Sequence, residues 1–201
     1  MNKQGITYTI LFTFVVSFLF VLVLAFANEG TREQVAFNQT VSRQRAILNA
    51  LNIDYDGPDD VVEKFESVEE VEQGDVTLYR AEVDGETVYA KEFSGSGLWG
   101  TITGIIAVDD SLNRTVGLEI ISHNETPGLG GRIDEGWFKE QLRGERIVDG
   151  GITVADAGDG DEDHDNGEID AITGASRTSD SMQGIINDEL TALSDALGGN
   201  S

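Results

Sequence analysis

Nine consecutive residues, Asp170-Ala171-Ile172-Thr173-Gly174-Ala175-Ser176-Arg177-Thr178, join a carboxylate, small residues, hydroxyls and a cation just ahead of an amphipathic run. Gly174 and Ala175 let an anion approach the backbone without meeting a large side chain. The helix expected to start near Thr178 offers unpaired N–H groups and the positive end of its dipole to a phosphate. Arg177 adds a cation, and Ser176 and Thr178 bring hydroxyls able to hydrogen-bond or to take a covalent link. The plain alternative is an ordinary loop and helix cap, for which Ser, Thr and Asp are favoured in any case.

A second segment, His123-Asn124-Glu125-Thr126-Pro127-Gly128-Leu129-Gly130-Gly131, lies about 45 residues upstream. Pro and Gly fix a tight turn there, which frees backbone N–H and C=O groups to meet a polar ring edge. Leu129 offers an apolar contact, and the alternative is a plain strand-to-helix turn. A third segment is Gly97-Leu98-Trp99-Gly100, whose Trp99 is either core, the more common fate of a tryptophan, or an aromatic beside a pocket.

Other groups point to less. Asp159, Asp161, Asp163 and Asp165 alternate like the start of a calcium loop, but the glycine expected at the sixth position and a closing glutamate are missing. A solvated acidic loop over residues 156–168 is the expectation. His123 and His164 lack companions for a metal cluster or a triad, so hydrolysis is not indicated. There are no cysteines, which excludes thiolate metal sites and disulfides.

Residues 6–27 carry no charge and as a helix would span about 33 Å, enough to cross a bilayer core. The rival is a signal peptide cleaved near Ala25-Phe26-Ala27, although the apolar run is long for one. Lys3 favours a cytoplasmic N-terminus and places the remainder outside. That remainder carries 12 basic and 37 acidic residues, a formal charge of −25, and such a field repels nucleic acid and anionic lipid. The excess of Asp, with only four lysines in the chain, fits a high-salt setting where self-repulsion is screened.

The spacing predicts a helix over residues 31–51, then an acidic helix over 59–72 capped by Asp59. Strands follow over 76–83 and 86–93 around an Asp84-Gly85 turn, with a Gly/Ser link at 94–97. Further strands are read at 101–108, 115–122 and 152–154, a short helix at 135–142, and a last helix from Thr178 with Met182, Ile185, Ile186, Leu190 and Leu193 on one face. The fold class is therefore α+β, a small and mostly antiparallel sheet flanked by helices behind an N-terminal membrane helix. The expected boundaries are 1–5 for the cytoplasmic N-terminus, 6–27 for the anchor, 28–75 for a helical linker, 76–197 for the sheet domain and 198–201 for a frayed tail.

The pattern Asp-x-x-(Ser/Thr)-Gly-Ala-(Thr/Ser) at 170–176 resembles the flavinylation motif of the FMN-binding domains in sodium-pumping NADH:quinone reductases and Rnf complexes. Glu125-Thr126-Pro127-Gly128-Leu129-Gly130 is similar to the family's flavin-lining segment, and Gly97-Leu98-Trp99 resembles the NqrC branch of the family more than the RnfG branch. The resemblance covers the anchor and roughly residues 79–193. It implies FMN joined through its phosphate to Ser176, a serine where most members have threonine, with Thr178 as the alternative acceptor. It further implies that Asp170, Thr173, Gly174 and Ala175 are read by a flavin transferase that splits FAD. Trp99, Glu125, Thr126, Gly128, Leu129, Thr173, Gly174, Ala175, Arg177 and Thr178 are the residues it places around the cofactor.

By the same resemblance, the chain is a single-pass electron-transfer subunit of the cytoplasmic membrane with its flavin domain on the outer side. Its partners are the other subunits of a redox complex that oxidises NADH, reduces ubiquinone and exports sodium. Two alternatives stay open: the RnfG component of a complex linking ferredoxin and NAD, and an unflavinylated extracytoplasmic binding module in which Ser176 is a cap.

Overall fold

The computed structural model describes residues 3–74 and 76–198 and divides into two compact units, one ending at Thr40 and one beginning at Val41. The expected cytoplasmic N-terminus and frayed tail fall partly outside those residues. Helix α1 runs unbroken over Lys3–Ala50, where two separate helices were expected. No proline interrupts the run at residues 28–31, and an exposed glycine such as Gly30 costs a helix only about 1 kcal/mol, too little to end it. In the first unit the helix is long and apolar enough to cross a membrane, and its Phe14, Phe20 and Leu24 are more than 60% exposed.

In the second unit, α1 stops where Asn52 turns left-handed (φ 60°) and Ile53 N–H reaches back to Leu48 O. Asparagine tolerates this conformation, and this bond, with Asn52 N–H to Asn49 O at 3.2 Å, satisfies two of the last carbonyls of the helix. Helix α2 spans Pro58–Phe65. Gly57 stands at its N-cap in place of the expected Asp59, because Pro58 is pre-set for the first helical position.

The acidic helix expected to reach residue 72 ends instead at Phe65, and Glu69–Gln73 forms strand β1. Val68 and Val71, three apart, suit one face of a helix, but pairing across the sheet competes with that local preference. Pairing against β2 (Val76–Val83) decides it, with Glu69 opposite Arg80. Strands β3 (Glu86–Ser96), β4 (Thr101–Asp109) and β5 (Thr115–Ser122) complete an antiparallel meander in the order β1-β2-β3-β4-β5. The link expected at 94–97 is largely strand.

Both faces of this sheet are covered, so β4 reads as a nearly continuous apolar run. On one face Tyr79, Val88 and Ile105 pack against Ile47 and Ala50 of α1 and Leu51 just after it. On the other, Leu78, Phe93, Ile106 and Leu118 meet α3 (Gly136–Glu140), β6 (Thr153–Gly158), β7 (Glu168–Ile172) and α4 (Ser176–Gly198) through Phe138, Val154, Ile169, Met182 and Ile186. Strand β7 was not foreseen. It pairs in parallel with β6 and is only five residues long, too short for its alternation to register. Thus α1, α2 and β1, expected to precede the sheet domain as a helical linker, contribute to the same compact unit from Val41 onward.

Candidate functional site

Residues 97–100 form the tip of the β3–β4 hairpin, closed by a 2.8 Å bond from Gly97 N–H to Gly100 O. This tip leaves Leu98 and Trp99 in solvent, Trp99 at 66% exposure, so it is not a core tryptophan. Thr103 of β4 pairs with Ser122, the last residue of β5, which brings the segment after β5 to the same end of the sheet. There Thr126-Pro127-Gly128-Leu129 makes a type II turn, with Gly128 at φ 74° and Leu129 N–H bonded to Thr126 O at 3.1 Å. A 3₁₀ turn over Gly130–Asp134 follows.

The segment at 170–178 comes from the β7–α4 layer that packs on the same face of the sheet. β7 runs into Thr173-Gly174, where Gly174 has φ 78°, and α4 begins at Ser176, two residues earlier than expected. A Cβ on Gly174 would lie 3.5 Å from Leu129 Cδ2, so the first two motifs are in contact. The turn is locked from inside: Ala175 O accepts Thr178 and Ser179 N–H, and the buried Ser179 hydroxyl accepts Ile172 N–H at 3.0 Å.

The hydroxyls expected to do chemistry are placed differently from one another. Ser176 and Arg177 are exposed, and among the described residues their backbone N–H groups have no hydrogen-bond acceptor. These are the open donors at the start of a 23-residue helix, the end that favours an anion. Thr178, the alternative acceptor, is instead 1% exposed and donates to Glu125 Oε2 at 2.6 Å. Burial withdraws it from modification. Thr173 is exposed on the turn, and Thr126 and Gly128 are exposed on theirs.

Glu125 is also buried, at 4% exposure, and its other oxygen accepts Trp99 N–H at 3.0 Å. Its carboxylate therefore faces protein on both sides. Asp170 turns away from Ser176: its Oδ2 accepts Gly160 N–H at 3.0 Å, and its own N–H bonds the buried Gln141 Oε1 at 2.7 Å. Gln141 and Ser179, which brace the motif, were missed by sequence reasoning. Ser179 carried a faint signal as a hydroxyl at the helix start, and Gln141 carried none.

The acidic loop begins after β6, which reaches Gly158. Asp163 N–H bonds Asp161 Oδ1 at 2.8 Å, Asn166 Nδ2 bonds Asp161 Oδ2 at 2.6 Å, and Arg114 pairs with Asp165. Beneath it lies Glu145, 1% exposed, accepting Gly167 N–H at 2.8 Å with His164 Nδ1 3.5 Å away. Burial raises the Glu145 carboxyl above its usual value, outweighing the Gly167 and Arg146 N–H groups and His164, which lower it. An acid raised on folding contributes stability fully below the unfolded value of about 4.3, and loses it as pH rises through the native one. Glu145→Gln keeps an acceptor for Gly167 and removes that loss. It should melt above the wild type at about pH 8 and level with it at about pH 3.5, read by thermal unfolding at both values.

A profile of the FMN-binding domain family matches residues 97–191, the stretch that carries all three segments. An RnfG-type component of an ion-translocating oxidoreductase complex from Cereibacter sphaeroides is 30% identical over 177 residues, covering 85% of this chain and 76% of that relative. NqrC of the Na(+)-translocating NADH-quinone reductase from Neisseria meningitidis is 33% identical over 94 residues, but the match covers only 35% of its length. The crystal structure of the corresponding NqrC from Parabacteroides distasonis superposes with a TM-score of 0.67 at 25% identity, over 83% of this chain and 96% of that one. The segments at 97–100, 123–131 and 170–178 thus all lie within the matched domain, and the chain belongs to the FMN-binding domain family.

Proposed function

We propose that this chain is an electron-transfer subunit of a membrane redox complex, carrying FMN joined through its phosphate to Ser176. The observation that carries the reading is the exposed Ser176 hydroxyl beside two open N–H groups and against the Leu129 turn. The residues fit the group. Ser176 and Arg177 would hold the phosphate, Leu129 and Trp99 supply apolar surface, and Gly174 leaves room that a side chain would fill. Bound FMN supplies the redox chemistry, while the protein fixes its position and shields one side of it.

Attachment needs a flavin transferase: the Ser176 Oγ–phosphorus bond forms as the pyrophosphate of FAD breaks and AMP leaves. A tether suits a site outside the cytoplasm, where lost FMN could not be replaced. Residues 6–27 would anchor the chain in the cytoplasmic membrane, N-terminus inside and flavin domain outside. That span has no ionisable side chain except Tyr8, so sodium transport must run through partner subunits.

The complex proposed is a sodium-translocating NADH:quinone reductase, on the strength of the Gly97-Leu98-Trp99 segment. A specific observation favours a second reading, the RnfG component of an Rnf-type complex. The chain matches 76% of the length of the Cereibacter sphaeroides relative but spans only about a third of the NqrC from Neisseria meningitidis. Purifying the full chain with its membrane partners and following flavin bleaching separates the two. Reduction by NADH with quinone as acceptor is the expected result. Reduction only when reduced ferredoxin is the donor would assign the RnfG role, and a colourless preparation would leave a binding module.

A further inference from the structure

We propose that Glu125 is a positioning residue that assembles the flavin site, and not a ligand of the flavin. This rests on the reading of Ser176 as the attachment point. Its side chain is a single carboxylate bridging two segments distant in sequence. One oxygen accepts Trp99 N–H at 3.0 Å and the other accepts the Thr178 hydroxyl at 2.6 Å. Each oxygen also has a glycine backbone pressed against it. A Cβ on Gly97 would lie 2.6 Å from Oε1, and one on Gly130 would lie 2.7 Å from Oε2 and 2.4 Å from Thr178 Oγ1. The carboxylate therefore fills a slot that exists because positions 97 and 130 lack side chains.

The backbone of Glu125 is held as well, its N–H donating to His123 Nδ1 at 3.1 Å. With the loop fixed, the carboxylate ties the Leu98–Trp99 tip to one side of the 123–131 segment and the first turn of α4 to the other. Ser176 stands on that first turn. Charge-assisted bonds to a buried carboxylate are among the stronger single contacts in a protein, which suits a joint between elements with no covalent neighbour.

The test uses the full chain in detergent, before and after incubation with FAD and a flavin transferase, comparing wild type with Glu125→Ala, Glu125→Gln and Thr178→Val. Amide hydrogen exchange reads the joint directly and needs no flavin. In Glu125→Ala the Trp99 amide and those of Thr178 and Ser179, which bond Ala175 O, should exchange about tenfold faster, with β4 and the body of α4 unchanged. Flavin attachment should slow by about tenfold in the same variant.

Glu125→Gln should recover most of both, because its carbonyl can accept Trp99 N–H and its amide can donate to the Thr178 oxygen. Thr178→Val cuts one arm alone, so attachment slows while the Trp99 amide stays protected. It also decides the matter if Glu125→Ala fails to fold. Exchange at Trp99, Thr178 and Ser179 within about twofold of wild type in Glu125→Ala would overturn the joint, and normal attachment in Glu125→Ala or Thr178→Val would overturn the positioning role. A wild-type chain that takes no flavin would sink the proposed function, while the exchange result still stands for or against the joint.

Discussion

Ser176→Ala should leave no flavin fluorescence on the denatured chain after co-expression with a flavin transferase, whereas the wild type and Ser176→Thr should both fluoresce. The expected effect is total because a phosphoester needs an oxygen, and no neighbouring hydroxyl is equivalent. Thr178 is 1% exposed and bonded to Glu125, and Ser179 is 0% exposed and occupied by Ile172 N–H. Ser181 is spent on Arg177 O at 2.9 Å, a turn further along. Ser176 alone combines exposure with the open N–H groups of the first turn, where a phosphate is favoured electrostatically. The measurement is a denaturing gel under ultraviolet light, followed by mass analysis of the peptide containing residue 176. Persistent fluorescence in Ser176→Ala would move the acceptor to Thr173, the other exposed hydroxyl of the turn. Absence from every lane would end the covalent proposal and favour a module that binds without flavin.

Gly104→Ala has the largest expected effect on stability. Gly104 sits at an irregularity in the β4–β5 pairing, where the strands draw close. An added Cβ would lie 2.4 Å from Glu119 O and 2.6 Å from the Phe93 ring. The ring is buried in the core beneath α4 and the oxygen is main chain, so neither can swing aside. Overpacking of this kind costs about 3 kcal/mol, which for a unit of this size lowers Tm by about 6–12 °C. Gly184→Ala is the matched control. It lies exposed within α4 with nothing near its Cβ position, and should gain about 0.5–1 kcal/mol from helix propensity. Thermal unfolding of the two variants should therefore move in opposite directions. A Gly104→Ala protein melting with the wild type would show that β5 can slide at the bulge.

The anchor, the antiparallel strands β2 to β5 and the amphipathic α4 were legible because each is written in local periodicity: an uncharged run of 22 residues, alternation broken by Asp84-Gly85, and a stripe at helical spacing. The edge strand β1 was not, since its one apolar residue, Val71, can show no alternation, and pairing with β2 settles the matter. Strand β7 was hidden by its length and by a parallel partner. The site divides in the same way. Residue types alone determined that three segments hold small, hydroxyl, apolar and anion-favouring groups, and Pro127-Gly128 already specified its turn.

Tertiary structure alone decided which hydroxyl faces solvent and which is buried, that Asp170 points to Gly160 instead of the helix start, and that Glu125 joins residues 26 and 53 positions away in sequence. The physical reason is range. Propensity, turn chemistry and periodicity act over a few residues and can be read along the chain, whereas the direction of a side chain is set by what the rest of the fold packs against it.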